Sequence, residues 1–287
     1  MLTTKTKVTL AGLAYRAIAL GRAALGGTNQ VTVRRGGFRW SLDLSEGIDF
    51  SIYLLGAFEK STVATLRQLV KPGDVAFDIG ANIGAHTLGL AKSVGVNGKV
   101  YAFEPSDFAF VKLRANLALN PELESRTHTS QVLLAGSEAE SRPNQIYASW
   151  PLESEPSVHP KHRGRLVTMN GATVDTLDRF VKRHRIDRVD VIKLDVDGHE
   201  LPVLRGGFTT LRRLQPTLLM EMSPYIHAEE HHSFSELVTL LRDAGYRIED
   251  ASSRKQLRLD AAELERLIPD GASINVVAMP CAPRPRS

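Results

Sequence analysis

The chain has 287 residues, 43% of them hydrophobic, enough to bury one substantial core with an appended segment but hardly two full domains. Its 36 Lys and Arg against 32 Asp and Glu leave a net charge of only +4. The basic clusters (Arg34-Arg35, Lys161-His162-Arg163 with Arg165, and Lys182-Arg183-His184-Arg185 with Arg188) lack interleaved aromatics, which argues against nucleic acid as the main partner. The single cysteine, Cys281, excludes an intrachain disulfide and a cysteine zinc cluster and fits a reducing cytoplasm.

Residues 5–25 carry Leu10, Leu13, Ala14, Ala17, Ile18, Ala24 and Leu25 at helical spacing, interrupted by Arg16 and Arg22. The run is too short and too charged to span a bilayer and has no signal-peptide core; it reads as a packing helix, with weak membrane-surface contact as the lesser reading. Residues 31–44 alternate about Gly36-Gly37 and predict a β-hairpin. These pieces form an N-terminal extension over residues 1–57. An amphipathic helix over 58–70 stops before Pro72-Gly73. From Asp74 strands and helices alternate. Strands are expected at 75–79, 99–103, 129–135, 189–194 and 217–222, with helices at 84–93, from the N-cap Ser106 to 119, and at 174–184. Residues 136–165, rich in Ser, Glu and Pro, break the rhythm as a lid or a poorly ordered insertion, with Trp150 as a loop anchor. A short extended piece is expected at 166–169. A helix presenting Phe234, Leu237, Val238 and Leu241 ends at Gly245, and strands at 246–249 and 274–279 close the chain around a helix started by Asp260 and Glu263. This order predicts an α/β fold with a doubly wound, mostly parallel sheet.

The most telling stretch is Val75-Ala-Phe-Asp-Ile-Gly-Ala-Asn-Ile-Gly84. An apolar strand ends in a glycine turn that opens a helix, which brings backbone to a strand's carboxyl end where a nucleotide-type ligand binds. Gly80 allows positive φ or close approach of a ligand. Asp78 adds a carboxylate for a ligand's amino group or hydroxyls, and Glu104, ending the second strand, suits a ribose hydroxyl pair. A dinucleotide fingerprint wants glycine where this chain has Asn82, and the Gly-Lys-Ser/Thr of a phosphate loop is absent. An adenosine-type cofactor without phosphates fits best, and S-adenosyl-L-methionine is the commonest. Asn82 counts against the alternative, an NAD-dependent Rossmann oxidoreductase.

A second constellation follows the fourth strand. Asp195, Asp197, His199 and Glu200 fall within six residues, and Glu221 can join from the fifth strand. Three readings stay open. His199 beside carboxylates suits a general base. A carboxylate trio suits a hard divalent cation. The acids equally suit capping of the following helix. A calcium loop is excluded, because Glu200 and Gly206 stand where such a loop needs glycine and glutamate. His86, His128, His159, His162, His227, His231 and His232 read as surface or loop histidines.

Over residues 58–222 the chain resembles the FkbM-type family of S-adenosylmethionine-dependent methyltransferases. The motifs are Gly73-Asp74 with Asp78-Ile-Gly-Ala-Asn-Ile-Gly84, Phe103-Glu-Pro105 with Asn116 and Asn120, Thr176-Leu-Asp178, and Ile192-Lys-Leu-Asp-Val-Asp-Gly-His-Glu200. The family usually shows Glu where this chain has Asp197, and Ser137 stands where an acidic residue often lies near the adenine. The resemblance implies a seven-stranded Rossmann-like sheet with its last strand antiparallel, a methyltransferase domain over 58–287, and O-methylation of a small molecule or glycan. It assigns the cofactor to Asp78, Gly80, Asn82, Gly84, Glu104 and Ser137, and the acceptor side to Asp195, His199 and Glu200. The non-enzymatic alternative is a methyltransferase-fold interaction module, against which the acidic cluster argues.

Overall fold

A computed structural model describes residues 4–140, 143–152, 158 and 164–281. His159, His162 and the cluster Lys161-His162-Arg163 lie outside the described residues, as does part of the 136–165 stretch.

The chain opens with α1 (Thr4–Ala24), the hairpin β1 (Gln30–Arg35) and β2 (Phe38–Asp43), then α2 (Gly47–Leu55) and α3 (Lys60–Leu69). Next come β3 (Val75–Ile79), α4 (Thr87–Val94), β4 (Lys99–Phe103), α5 (Asp107–Ala118), α6 (Pro121–Glu124), β5 (Thr127–Ser130) and β6 (Val132–Leu134). The strands β7 (Gln145–Ser149), β8 (Arg165–Thr168) and β9 (Thr173–Asp175) lead to α7 (Leu177–Arg183), β10 (Val191–Leu194), α8 (Glu200–Gly206) and α9 (Phe208–Leu214). The chain closes with β11 (Thr217–Met222), α10 (Pro224–Glu229), α11 (Phe234–Asp243), β12 (Tyr246–Asp250), β13 (Gln256–Leu257), α12 (Ala261–Leu267) and β14 (Ile274–Pro280).

Eight strands form the main sheet in the order β13-β12-β14-β11-β10-β3-β4-β5. β5, β4, β3, β10 and β11 run parallel, and β14 is antiparallel to both neighbours. This is the expected doubly wound sheet of seven strands, with the two-residue β13 added at an edge. The order reverses between β3 and β10, so the crevice for a ligand lies at the carboxyl ends of those two strands.

Strand parity sorts the core into two layers, because successive side chains of a strand point to opposite faces. Phe77, Ile79, Ile192 and Leu194 join the layer under α7, α8, α9 and α11. Ala76, Val191 and Leu219 join the opposite layer, where α4, α5 and the N-terminal hairpin contribute Leu88, Leu113, Trp40 and Leu42. The same parity puts Asp78, Lys193 and Asp195 on the hairpin side. The hairpin is tied there by two side-chain amides, Asn116 of α5 and Asn120 just before α6: Asn116 accepts from Ser41 N–H at 2.8 Å and donates to the Ile83 carbonyl at 2.9 Å, and Asn120 pairs with both backbone groups of Arg39. Asn116 thus joins the hairpin to the glycine turn, a role spacing alone does not show.

Three expectations need correction. The strand expected over 129–135 is two strands broken at Gln131: β5 joins the main sheet, and β6 leaves it to pair with β9. The helix expected from 174 begins only at Leu177, after β9, where the Thr176 side chain caps it by accepting from Arg179 N–H. Of the 136–165 stretch, the described residues include β7, which pairs antiparallel with β8, and Trp150, whose carbonyl accepts from Gly47 N–H at 2.8 Å. Finally, His86 and His227 are buried, not surface, side chains.

Candidate active site

The turn after β3 is built by close approach of two backbones. Gly80 takes φ +79°, and a Cβ there would sit 1.9 Å from the Asp195 carbonyl oxygen. Glycine is therefore demanded by the neighbouring strand end, in addition to any ligand. Asn82 follows at φ +48°, in the left-handed region that asparagine tolerates better than most residues. Gly84 takes φ +90° before α4 begins at Thr87.

Glu104 organises this turn. Its buried carboxylate accepts from Asn82 N–H at 2.9 Å, from Ser106 N–H at 2.8 Å and from Ser106 Oγ–H at 2.6 Å. Burial raises its pKa, and these three bonds act against that rise. A carboxylate has about four acceptor sites, so the bonds to the turn leave room for a further donor.

Asp78 lies fully buried beneath the turn, accepting from Thr87 Oγ–H at 2.6 Å. Its other oxygen is 3.6 Å from Lys193 Nζ, with no hydrogen bond to it among the described residues. Lys193 stands directly opposite Asp78 in the parallel register of β10 and β3. It also donates to the Gly80 carbonyl at 3.1 Å and lies 3.3 Å from Asp195. Burial opposes its charge, but Asp195, Asp78 and Glu59 outweigh burial and hold the ammonium above its ordinary range. Lys193 is thus the hub between the two strand ends. In the sequence Lys193 stands inside the Ile192–Glu200 motif with no evident role; the signal for it is a lone cation in an otherwise apolar buried strand, in step with Asp78.

Beyond Lys193, Asp195, Asp197 and Glu221 bring one carboxylate oxygen each within 4.8 Å of one another. Asp197 has φ +49°. Burial, then Asp195, raises both the Asp197 and Glu221 carboxyls well above the usual range. Glu221 also accepts a hydrogen bond from Ser273.

His199 and Glu200 turn elsewhere. Glu200 is buried, accepts from Val196 N–H at 3.1 Å and lies 3.4 Å from His227 Nε2; burial pushes its carboxyl up to about 7. The His199 ring stands 5.5 Å from that of His232, and burial with the His232 charge pushes it down to about 4, against a hydrogen bond with the Leu134 backbone. Asp195 therefore gathers with Asp197 and Glu221, while His199 belongs with His227 and His232. Ser137 is exposed beyond β6 and, because the strand breaks at Gln131, lies seven residues past the end of β5. Glu59, unremarked in the sequence, meets the buried His86 at 3.7 Å on the hairpin side.

Comparison with known proteins adds to this geometry. Residues 78–248 match the model of the methyltransferase FkbM domain. The chain is 28% identical over 157 residues to the hexuronic acid methyltransferase AglP of Haloferax volcanii, an alignment covering 54% of this chain and 58% of that protein. It therefore spans little more than half of that curated relative. Similar solved structures include the methyltransferase FkbM of Methylobacillus flagellatus (17% identity, TM-score 0.43, 75% of this chain and 50% of that one). An S-adenosylmethionine-dependent methyltransferase of Aquifex aeolicus is similar at 20% identity, with TM-score 0.41 over 81% of this chain and 94% of that one. With the matched segment running from Asp78 through both strand ends and Glu221 to β12, the chain belongs to the FkbM methyltransferase family.

Proposed function

We propose that the protein is an S-adenosylmethionine-dependent O-methyltransferase whose acceptor is a hydroxyl of a sugar or small molecule. The observation that carries this reading is the convergence of Asp195, Asp197 and Glu221 beside the glycine turn. A neutral hydroxyl must lose its proton as it attacks, whereas an amine can attack without prior ionisation. Carboxylates next to the methyl donor serve that need.

On this reading Asp78, Gly80, Asn82, Gly84 and Glu104 hold the cofactor. The buried Asp78 oxygen without a hydrogen bond suits a donor on the ligand, and the remaining acceptor capacity of Glu104 suits a ribose hydroxyl. The bound cofactor supplies an electrophilic methyl group, and the protein's task is then to align the nucleophile in line with it. Asp195 faces the acceptor with its charge balanced by Lys193. Glu200, the first residue of α8, acts as a positioning residue by fixing Val196 N–H in the turn that precedes the helix. His199, pushed down to about 4 by burial, is neutral at pH 7 and stands with His232, apart from the trio.

The trio also fits a hard divalent cation: three oxygen donors crowd together, and a cation relieves the repulsion that adds to burial in raising Asp197 and Glu221. Asp195, Asp197 and Glu221 would hold the ion, which would lower the pKa of a bound hydroxyl. The sugar acceptor is supported by the hexuronic acid named for the Haloferax relative.

The test is transfer of labelled methyl to uronic-acid oligosaccharides, neutral oligosaccharides and small phenols, followed by mild alkali. An alkali-stable methyl ether on a hydroxyl is expected. An alkali-labile ester, or transfer to nitrogen, would contradict the hydroxyl assignment. Chelation should abolish turnover while leaving cofactor affinity intact; undiminished turnover after chelation removes the cation from the account.

A further inference from the structure

Seven of the 36 Lys and Arg residues and none of the 32 Asp and Glu fall within residues 1–42, so the rest of the chain has a net charge of −3. The positive charge of the protein is thus concentrated at one end, much of it on or beside α1. One face of α1 packs inward: the buried Tyr15 meets Phe50 of α2 edge-on at 5.9 Å, with Ala11, Ala14, Ile18 and Ala19 partly buried on the same core.

The outward face is apolar as well. Leu13, Ala17, Leu20 and Ala24 recur at helical spacing as one stripe, and all four are exposed. Leu13 and Leu20 expose 59% and 73% of their surface, and Leu25, just past the helix end, exposes 90%. Arg16 is exposed beside the stripe, and α2 ends in two more exposed leucines, Leu54 and Leu55. A surface helix of a globular protein ordinarily turns charged and polar side chains outward.

We propose that this outer face of α1 docks on an anionic lipid surface, with the helix axis in the plane of the membrane. The leucine and alanine stripe would enter the headgroup–acyl boundary, and the surrounding cations would meet lipid headgroups. No described helix is long and apolar enough to cross a membrane, so the contact is interfacial. The charge distribution decides against a second copy of the chain: a two-fold contact through α1 sets two all-cationic segments against each other. Nucleic acid would satisfy the cations but leave the stripe in water, and no exposed residue of that stripe is aromatic.

Co-sedimentation of the full chain with phosphatidylcholine vesicles, with and without phosphatidylglycerol, tests this. Binding should need phosphatidylglycerol and fall as salt rises, because the attraction is screened. Leu13→Glu with Leu20→Glu should weaken it about tenfold or more, given the apolar area removed from the interface. Arg16→Glu should weaken it on anionic vesicles. Both variants should keep the wild-type melting temperature and S-adenosylmethionine affinity, since the altered side chains point away from the core. Three results would overturn the proposal: no binding to anionic vesicles, binding unchanged in the double variant, or a dimer that only the double variant dissolves in a protein that ignores vesicles.

Discussion

Lys193 shows how a buried charge is tolerated in this protein. An ammonium inside a sheet is costly to desolvate unless its partners are fixed, and here two carboxylates and a carbonyl converge on it: Asp78, Asp195 and the Gly80 oxygen. Removing the cation leaves the fully buried Asp78 without its counter-charge. Lys193→Met should therefore destabilise the fold by about 3–5 kcal/mol, the range seen when one partner of a buried pair is lost. Adding Asp78→Asn should restore part of the loss, since the amide still pairs with Thr87 and carries no charge. Urea midpoints of the two variants and their double mutant measure the coupling. Additive losses would mean that the pair does not act as a unit. The arrangement was half legible in the sequence. Asp78 announced itself by preceding a glycine turn, whereas Lys193 needed the register of β3 against β10, which only the sheet order supplies.

Elements carry the next level of explanation, and the junction of α2 with α5 is the clearest case. Asp49 of α2 is buried, accepts from Asp43 N–H at 2.7 Å and pairs with Lys112 of α5. Burial outweighs Lys112 and raises its carboxyl from 3.8 to about 6. A raised carboxyl favours the protonated folded state, so this group lowers stability as pH rises from about 4 to 6 and leaves it level above that. Asp49→Asn should remove that slope, seen as urea midpoints that no longer fall across this window; a slope unchanged in the variant would locate it in other groups. Neither α2 nor this pair was visible in the sequence, since residues 47–55 are too short and too uniformly apolar to declare a helical period. Of the β7–β8 pair, only β8 was legible, as the extended piece over 166–169. The pair's hold on the molecule comes from partners distant in sequence, Arg165 and Ser149 on the buried Glu46. The break at Gln131 escaped because β5 reads Thr-His-Thr-Ser, a polar strand at the sheet edge, while the apolar Val132–Leu134 that follows belongs to a different sheet.

At the scale of the whole molecule, alternation of strand and helix was enough to predict a doubly wound sheet, and β3, β4 and β11 fall where the periodicity puts them. The candidate site was legible where it follows from that topology: a glycine turn, a carboxylate on each flanking strand, and an acidic run at the switch point. Side-chain direction inside the acidic run was not legible. Asp195, Asp197, His199 and Glu200 are neighbours in sequence, yet the turn about Gly198 (φ +94°) sends the aspartates toward Glu221 and the histidine toward His232. On the proposed function, the turn at Gly80 and the carboxylates beneath it form the methyl-donor site. Calorimetric titration of S-adenosylmethionine into the wild-type protein and the Glu104→Ala variant tests it most directly. The wild type should bind with micromolar affinity and a folded variant at least about tenfold more weakly, the loss expected when a charge-assisted hydrogen bond and the turn it shapes are removed. Equal affinity in the two proteins, or no binding by the wild type, would contradict it.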